Sequence, residues 1–149
     1  FDASLDYRSP DFVAQLEEAC PKGVDVYFDN TSGPITDAVI ARLNVRARVV
    51  ICGTVAYTEW SPPPLGPRME RQLLVTRARV EGFIAPDFQH RWGEAYSMLA
   101  HWVREGRIKV LEDVLDGLEA APASIEGLYR GDNIGKRVIK VAPEHRKDS

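Results

Sequence analysis

Two short apolar runs constrain the fold of this chain more than any other feature. The first is Val24-Asp-Val-Tyr-Phe-Asp-Asn30 and the second is Val49-Val-Ile-Cys-Gly-Thr54, and both end in small polar residues. They are rich in β-branched and aromatic side chains and lack strict alternation, which is typical of strands covered by helices on both faces of a parallel sheet. The sequence therefore predicts two neighbouring parallel strands of an open α/β sheet.

The segment between these runs predicts a helix. Ser32 or Gly33 can cap it, and Pro34 lies where a first-turn proline is favoured. A helical apolar stripe follows, made of Ile35, Ala38, Val39, Arg42 and Leu43. Strand, helix and strand form a βαβ unit, and in such sheets ligands bind outside the carboxyl ends of the strands. Asn30 and the turn 52–54 are therefore the expected edge of a nucleotide site.

The rest of the chain predicts further helices and strands. The proline-rich run 61–67 is expected to be an extended, stiff connection, because proline fits neither a helix interior nor a central strand. Asp87 is expected to cap a long helix whose aromatic stripe packs in the core. The predicted elements are a short helix at 69–76, a strand at 79–85, a helix at 87–106, a strand at 108–115, a helix at 118–129 interrupted near Pro122, and a strand at 136–141.

Composition indicates a soluble globular chain of 149 residues, with 44% hydrophobic residues and a formal charge of −3. Its apolar runs are too short to span a membrane, and a sequence pI near 5.6 argues against a nucleic-acid partner. Cys20 and Cys52 are expected to be free thiols in a reducing cytoplasm. His90, His101 and His145 lack ligand spacing, so no metal site is predicted.

Several other chemistries lack their motifs in this sequence. It contains neither a Gly-x-Ser-x-Gly nucleophile elbow nor the Tyr-x-x-x-Lys pair of short-chain dehydrogenases, and the run from Gly131 to Lys136 has the wrong spacing for a phosphate loop. A methyltransferase stays conceivable, because the strand ending at Asn30 could lie beside a catalytic site. The downstream motifs do not fit that alternative.

Four stretches together resemble a known family. They are Ala19-Cys-Pro-Lys-Gly-Val-Asp-Val-Tyr-Phe-Asp-Asn30, Ile51-Cys-Gly53, the stretch from Gly66-Pro67 to Arg77-Ala-Arg-Val-Glu-Gly-Phe83, and Gly127-Leu-Tyr-Arg-Gly-Asp-Asn-Ile-Gly-Lys136. In this order they resemble the zinc-independent medium-chain dehydrogenase/reductases, and within them the NADP-dependent alkenal, prostaglandin and leukotriene reductase group. The resemblance extends from Phe1 to about Ala142.

The resemblance implies a carboxyl-terminal part of a longer enzyme. Residues 1–106 would form the second half of a Rossmann-type, NADP-binding parallel sheet with flanking helices. Residues 107–142 would return to a GroES-like catalytic domain, and 143–149 would be a frayed tail. None of the 11 glycines forms the Gly-x-Gly-x-x-Gly turn that binds a pyrophosphate. We therefore expect the phosphate cradle to be missing from this sequence.

The same resemblance implies roles for individual residues around NADP(H). Tyr7 would lie near the adenosine or ribose, and Asn133 would add a polar contact from the tail. Tyr57, displaced by about one position from the family pattern, would lie near the ribose or substrate oxygen. The remaining implied contacts surround the ribose and nicotinamide and come from Asn30, Cys52, Gly53, Thr54 and the backbone of Phe83 and Ile84.

The implied activity is transfer of a hydride from NADPH to the C=C bond of an α,β-unsaturated ketone or aldehyde, without a metal. The implied assembly is a homodimer paired through the edge strand 79–85, in the cytoplasm, with no nucleic-acid or membrane partner. The alternative is a folded dimerisation or interaction fragment that has no turnover of its own.

Overall fold

The structure is a computed structural model that describes residues 1–57 and 59–142. The chain divides into two compact units, Phe1–Gln89 and a second unit that begins at His90. The first unit contains a three-stranded sheet in the order β1-β2-β3, and the second contains a two-stranded sheet of β4 and β5. The assignment of 1–106 and 107–142 to two domains of the resembled family stays a prediction, and the predicted tail at 143–149 lies outside the described residues.

Five helices and five strands follow one another along the described chain. They are α1 (Phe12–Ala19), β1 (Val24–Asp29), α2 (Gly33–Ile40), β2 (Leu43–Ile51), α3 (Glu70–Thr76), β3 (Arg79–Gly82), α4 (Trp92–Arg104), β4 (Glu112–Asp116), α5 (Ala121–Arg130) and β5 (Lys136–Lys140). Two 3₁₀ segments, Ala85–Arg91 and Leu118–Ala120, precede α4 and α5. All strand pairs are parallel, which confirms the predicted α/β class of parallel sheets with flanking helices.

The βαβ unit is present as predicted. Strands β1 and β2 pair with Tyr27 opposite Val49 and Asp29 opposite Ile51. Strand β3 continues the register, with Gly82 opposite Ile51. Because the strands are parallel and in this register, the ends of β1, β2 and β3 lie side by side at one edge of the sheet.

The core of the first unit lies on one face of this sheet. Val49 in β2 is only 1% exposed, and it belongs to a buried cluster with Ile40, Leu43 and Ala47. On β1, Val26 and Phe28 remain 55% and 59% exposed. The prediction that helices cover both faces was therefore wrong for these side chains, because a run of apolar residues marks a strand without showing what covers each face.

The boundaries of several elements differ from their predictions. Arg42 and Leu43 belong to the predicted helical stripe, but α2 ends at Ile40 and Leu43 begins β2. Strand β2 contains an irregularity, since Arg46 has φ 65° and the pairing of β1 with β2 shifts between Val24 and Val26. Strand β3 ends at Gly82 rather than at residue 85. Helix α1 was not predicted at all.

The long predicted helix is shorter than its pattern. Helix α4 begins at Trp92 with Arg91 as its N-cap, so Asp87 does not cap it, and a kink at Phe88 interrupts the preceding 3₁₀ segment. The prediction that its aromatic stripe packs in the core is wrong in this structure, because α4 has no buried residue. The stripe consists of Trp92, Ala95, Tyr96, Leu99, Trp102 and Val103. Helical periodicity identifies an apolar face but does not supply a partner for it.

The remaining elements of the second unit largely follow the sequence. Strand β4 begins at Glu112 rather than at residue 108. Pro122 lies in the first turn of α5, where its missing N–H has no cost, so it opens the helix instead of interrupting it. Residues 61–67 contain neither helix nor strand, as predicted.

We expect Val49→Ala to lower the free energy of unfolding by about 2 kcal/mol, because it removes buried methyl groups from the packed centre of the sheet. Urea denaturation measures the change. Val45→Ala on the same strand is the matched control, since Val45 is 58% exposed and its truncation should change stability by no more than about 0.5 kcal/mol. Equal losses in the two variants would contradict this placement of the core.

Candidate functional site

A groove opens at the edge of the sheet where β2 and β3 end. Its volume is about 510 Å³, and it is lined by Ile51, Cys52, Gly53, Thr54, Gly82, Phe83, Ile84 and Asp87. The strand register explains the position, because Ile51 pairs with Gly82 at the last rung of the two strands. Five of the residues predicted to contact a nucleotide therefore line one groove, at the carboxyl ends of the strands.

The end of β1 is organised around the carboxylate of Asp29, whose residue is completely buried. Its Oδ1 accepts hydrogen bonds from the backbone N–H groups of Thr31 (2.9 Å) and Ser32 (2.8 Å). Its Oδ2 accepts one from the hydroxyl of Thr36, at 2.7 Å. The hydroxyl of Tyr27 donates to Oδ1 at 3.2 Å. One side chain thus holds the turn between β1 and α2.

These contacts determine the charge of Asp29. Burial alone would raise the pKa of this carboxyl, but the hydrogen bonds from Ser32, Thr31 and Thr36 outweigh burial and lower the pKa below its ordinary value. The pKa of the neighbouring Tyr27 hydroxyl is raised, chiefly by burial. At neutral pH the site therefore holds an ionised carboxylate beside a neutral phenol.

The backbone of Asp29 joins the β1 turn to the β2 turn. Its carbonyl oxygen accepts hydrogen bonds from the N–H groups of Cys52 (2.7 Å) and Gly53 (3.2 Å). The hydroxyl of Ser32 donates to the carbonyl of Gly53 at 3.4 Å. Asn30 packs so closely that a Cβ atom on Gly53 would lie 2.5 Å from Asn30 Oδ1 and 3.0 Å from its carbonyl oxygen. A Cβ atom at position 53 would therefore force Asn30 to move.

Ser32 adopts a backbone conformation that glycine normally occupies. Its φ and ψ are 62° and −167°, a region that costs a non-glycine residue on the order of 1–3 kcal/mol unless its surroundings enforce it. The N–H of Ser32 is held by Asp29 and its hydroxyl by Gly53. Contacts from the end of β1 and from the turn after β2 therefore both hold Ser32 in this conformation.

The end of β3 forms the opposite wall of the groove. The N–H of Phe83 donates to the carbonyl of Ile51 at 3.1 Å, and the N–H of Ile84 donates to Oδ2 of Asp87 at 3.3 Å. Both N–H groups are thus used within the chain. The ring of Phe83 packs between those of Phe28 and Phe88, with centroid distances of 6.1 Å and 5.5 Å.

Tyr7 lines a second groove of the same unit, with a volume of about 410 Å³. The other lining residues are Ser9, Pro10, Phe12, Val13, Ser32, Pro34, Ile35 and Ala56. The guanidinium of Arg8 lies over the Tyr7 ring, 5.6 Å from its centroid. Ser32 thus faces this groove while its hydroxyl bonds the Gly53 turn.

Two further predicted residues contact other parts of the chain. The Tyr57 ring packs on Trp60 at a centroid distance of 5.5 Å, and its hydroxyl lies 3.4 Å from the position of a Cβ atom on Gly33. Asn133 belongs to the second unit, where its side-chain amide donates to the carbonyl of Gly135 at 2.7 Å. The proposed cofactor and substrate roles of these two residues stay predictions.

Sequence reasoning missed Asp29, Ser32 and Asp87 as parts of this region. A buried aspartate at a strand end could have been suspected, because an acid inside an apolar run needs partners nearby. No sequence signal indicates the positive φ of Ser32. Asp87 was interpreted as a helix cap, whereas it bonds the backbone of Ile84.

Metal ligands are not grouped in the part of the chain that the structure describes. Residues 1–57 and 59–142 contain no set of three or more His, Cys, Asp or Glu side chains placed to hold a metal ion. Cys20 and Cys52 are free and half-buried. None of the helices within those residues is both long and apolar enough to cross a membrane.

The sequence and the fold match known proteins over nearly the whole chain. The profile of a family described as zinc-binding dehydrogenase matches residues 1–139. The NADPH-dependent curcumin reductase of Escherichia coli is 43% identical over 147 residues, which are 95% of this chain and 43% of that protein. The NADP(+)-dependent 2-alkenal reductase of Nicotiana tabacum is 33% identical over 145 residues, 97% of this chain and 42% of that protein.

A solved structure supports the same match. The complex of CurA from Vibrio vulnificus with NADPH superposes with a TM-score of 0.83 and 36% identity, over 97% of this chain and 44% of that one. This chain therefore spans less than half the length of these relatives. The resemblance inferred from the four motifs is confirmed.

The free energy of unfolding should depend on pH through Asp29. Because its pKa is lower in the folded state, the carboxylate stabilises the fold above the ordinary value of 3.8, and this contribution is lost as pH falls through the folded-state pKa. We expect Asp29→Asn to cost about 2 kcal/mol at neutral pH, with a difference from wild type that shrinks between about pH 5 and pH 2.

Urea denaturation across this pH range measures the effect. Asp37→Asn is the matched control, because the Asp37 carboxylate has no hydrogen-bond partner among the described residues. A constant difference between wild type and Asp29→Asn down to pH 2 would contradict an ionised Asp29.

Proposed function

The chain belongs to the zinc-binding dehydrogenase family, and from that premise we propose that it forms the nicotinamide-side wall of an NADPH site in an oxidoreductase. The proposed reaction is hydride transfer from NADPH to the C=C bond of an α,β-unsaturated ketone or aldehyde. The groove at the carboxyl ends of β2 and β3, with Gly53 at its floor, is the observation that carries the proposal.

The groove offers the kind of surface that a nicotinamide ring requires. Gly53 and Gly82 contribute backbone without side chains, so a flat ring can approach the sheet edge closely. The N–H groups of Phe83 and Ile84 are already bonded within the chain. Phe83 would therefore act through its carbonyl oxygen, which can accept a hydrogen bond from a carboxamide N–H. NADPH itself supplies the hydride when it is bound.

The proposed contacts of the neighbouring turn follow from its geometry. Asn30 lies directly against Gly53, and its amide can donate to or accept from a ribose hydroxyl. Cys52 and Gly53 present a backbone whose N–H groups are bonded to Asp29, which keeps the turn rigid. Rigid positioning of the ring, rather than a charged side chain, is what this wall contributes to hydride transfer.

The turn between β1 and α2 does not suit a phosphate group. A phosphate at a helix N-terminus binds backbone N–H groups, but those of Thr31 and Ser32 are bonded to the Asp29 carboxylate. The Asp29 carboxylate thus takes the place that a phosphate would occupy, and its negative charge would repel a phosphate group. This agrees with a nicotinamide and ribose function for this edge, and the sequence carries no Gly-x-Gly-x-x-Gly turn elsewhere.

Zinc does not fit the residues that the structure describes. A catalytic zinc needs three side-chain ligands from His, Cys or carboxylates, and no such group of three occurs within 1–57 and 59–142. The described residues therefore supply no zinc site. We propose a metal-independent reaction because the motifs of the chain resemble the zinc-independent group.

The proposed substrate class rests on the relatives. Curcumin and 2-alkenals, the compounds in the names of two relatives, both carry a C=C bond conjugated to a carbonyl. An assay of the full-length protein with a 2-alkenal and 4-deuterated NADPH tests this class. Deuterium at the β-carbon of a saturated aldehyde supports the proposal, whereas an allylic alcohol would indicate carbonyl reduction instead.

A homodimer and a non-catalytic interaction role both stay proposals. Strand β3 lies at the edge of the three-stranded sheet, so its outer backbone groups are available to a second copy through 79–85. Absence of NADPH turnover in the full-length protein, together with dimerisation in light scattering, would favour the interaction role over catalysis.

We expect Gly53→Ala in the full-length protein to raise the KM for NADPH about tenfold or more, because the added Cβ displaces Asn30 from the site wall. Steady-state kinetics at saturating enone measures the change. Gly93→Ala is the matched control, because a Cβ on Gly93 has no atom within 4 Å. A normal KM in Gly53→Ala would exclude this turn from the cofactor site.

We also expect the 149-residue chain by itself to bind NADPH at least about 100-fold more weakly than the full-length relatives and to reduce no enone. Pyrophosphate binding relies on several charge-assisted hydrogen bonds, each worth about 1.5–3 kcal/mol, and this sequence has no turn that provides them. Fluorescence titration with NADPH is the direct measurement. Binding at low micromolar concentration would show that the chain has a phosphate site of another kind.

A further inference from the structure

We propose that Asp29 is the positioning residue of this site: it holds the turn 30–33 and the turn 52–54 in the geometry that binds the nicotinamide side of NADPH. The inference rests on the function proposed above and deepens it. Asp29 itself is completely buried, so it acts through its neighbours rather than by touching a ligand.

The first observation is that hydrogen bonds, most of them from the turn and the start of α2, compensate the buried charge of Asp29. A buried carboxylate is costly unless hydrogen bonds or a cation compensate it. Asp29 has no Lys or Arg ion pair among the described residues, and its compensation comes from the N–H groups of Thr31 and Ser32 and the hydroxyl of Thr36. These donors lie at the start of α2, where the helix dipole also favours a negative charge.

The second observation is the conformation that this carboxylate enforces. Ser32 would not adopt φ 62° and ψ −167° without restraint. Its N–H lies 2.8 Å from Asp29 Oδ1, which is the shorter of the two backbone bonds to that oxygen. The hydrogen bond therefore offsets the backbone strain, and its loss would release the turn.

The third observation connects the turn to the groove. Asn30 lies between Asp29 and Thr31 in the chain. The hydrogen bond from the Thr31 N–H to the Asp29 carboxylate spans Asn30 and restricts its backbone, and with it the direction of its side chain. The carbonyl of Asp29 also bonds the N–H groups of Cys52 and Gly53. Asn30 and Gly53 are in contact only while both turns keep these positions.

Asp29→Asn and Ser32→Gly separate positioning from stability. The asparagine keeps the size of the side chain but removes its charge and replaces one acceptor with an N–H₂ group. Glycine at position 32 adopts the observed backbone angles without strain, so the turn no longer needs the carboxylate to hold it. The two variants, alone and combined, are made in the full-length protein, with Asp37→Asn in α2 as the control.

We expect Asp29→Asn to raise the Kd for NADPH about tenfold, because a released turn leaves only about a tenth of the protein in the binding geometry, with kcat at saturating NADPH changed less than about twofold. We expect Ser32→Gly to restore most of the lost affinity in the double variant. Asp37→Asn should leave the Kd at the wild-type value. Thermal unfolding confirms that each variant is folded at the assay temperature.

The outcomes distinguish the possible failures. A folded Asp29→Asn variant with wild-type affinity overturns the inference alone. Weakened binding that Ser32→Gly does not restore also overturns it, because the inference attributes the lost affinity to release of the strained turn. A wild-type full-length protein without NADPH affinity overturns the proposed function and this inference together.

Discussion

The carboxylate of Asp29 is the interaction on which the candidate site depends. It is buried at the end of β1, it accepts hydrogen bonds from two backbone N–H groups and from the hydroxyls of Tyr27 and Thr36, and its residue's carbonyl bonds the turn after β2. Charge-assisted hydrogen bonds in a low-dielectric environment are strong and directional. The ends of two strands are therefore held as one rigid edge.

This arrangement also bears on which part of a cofactor the edge is proposed to contact. Backbone N–H groups at the start of a helix are a common phosphate site, but here an internal carboxylate already uses them. The edge keeps its negative charge buried, and the residues that line the groove include two glycines, Gly53 and Gly82. Such a surface suits a neutral aromatic amide better than a pyrophosphate, which agrees with the absence of a glycine-rich phosphate turn in the sequence.

Much of the first unit could be predicted from the sequence. The runs at Val24 and Val49 are strands because β-branched and aromatic side chains crowd together in them, and parallel pairing follows from the helix between them. That pairing is sufficient to place Asn30 and Gly53 at one edge. The ends of β1 and β2 are therefore recognisable from the sequence.

Other features could not be predicted because they depend on contacts between distant residues. The apolar stripe of α4 was recognised, but periodicity does not show whether another element covers it, and in this structure none of its residues is buried. Asp87 follows a strand and precedes a helix, so both a cap and a backbone contact with Ile84 were compatible with its sequence position.

The sequence by itself determined the α/β class, the parallel order of the first strands and the family, because these follow from local composition and from the order of short motifs. Only the tertiary structure decided that Asp29 is buried and ionised, that Ser32 takes a conformation suited to glycine, and that a side chain on Gly53 would displace Asn30. The physical reason is that local propensity acts between neighbours in the chain, whereas burial, hydrogen bonding and steric contact depend on which strand ends the fold brings together.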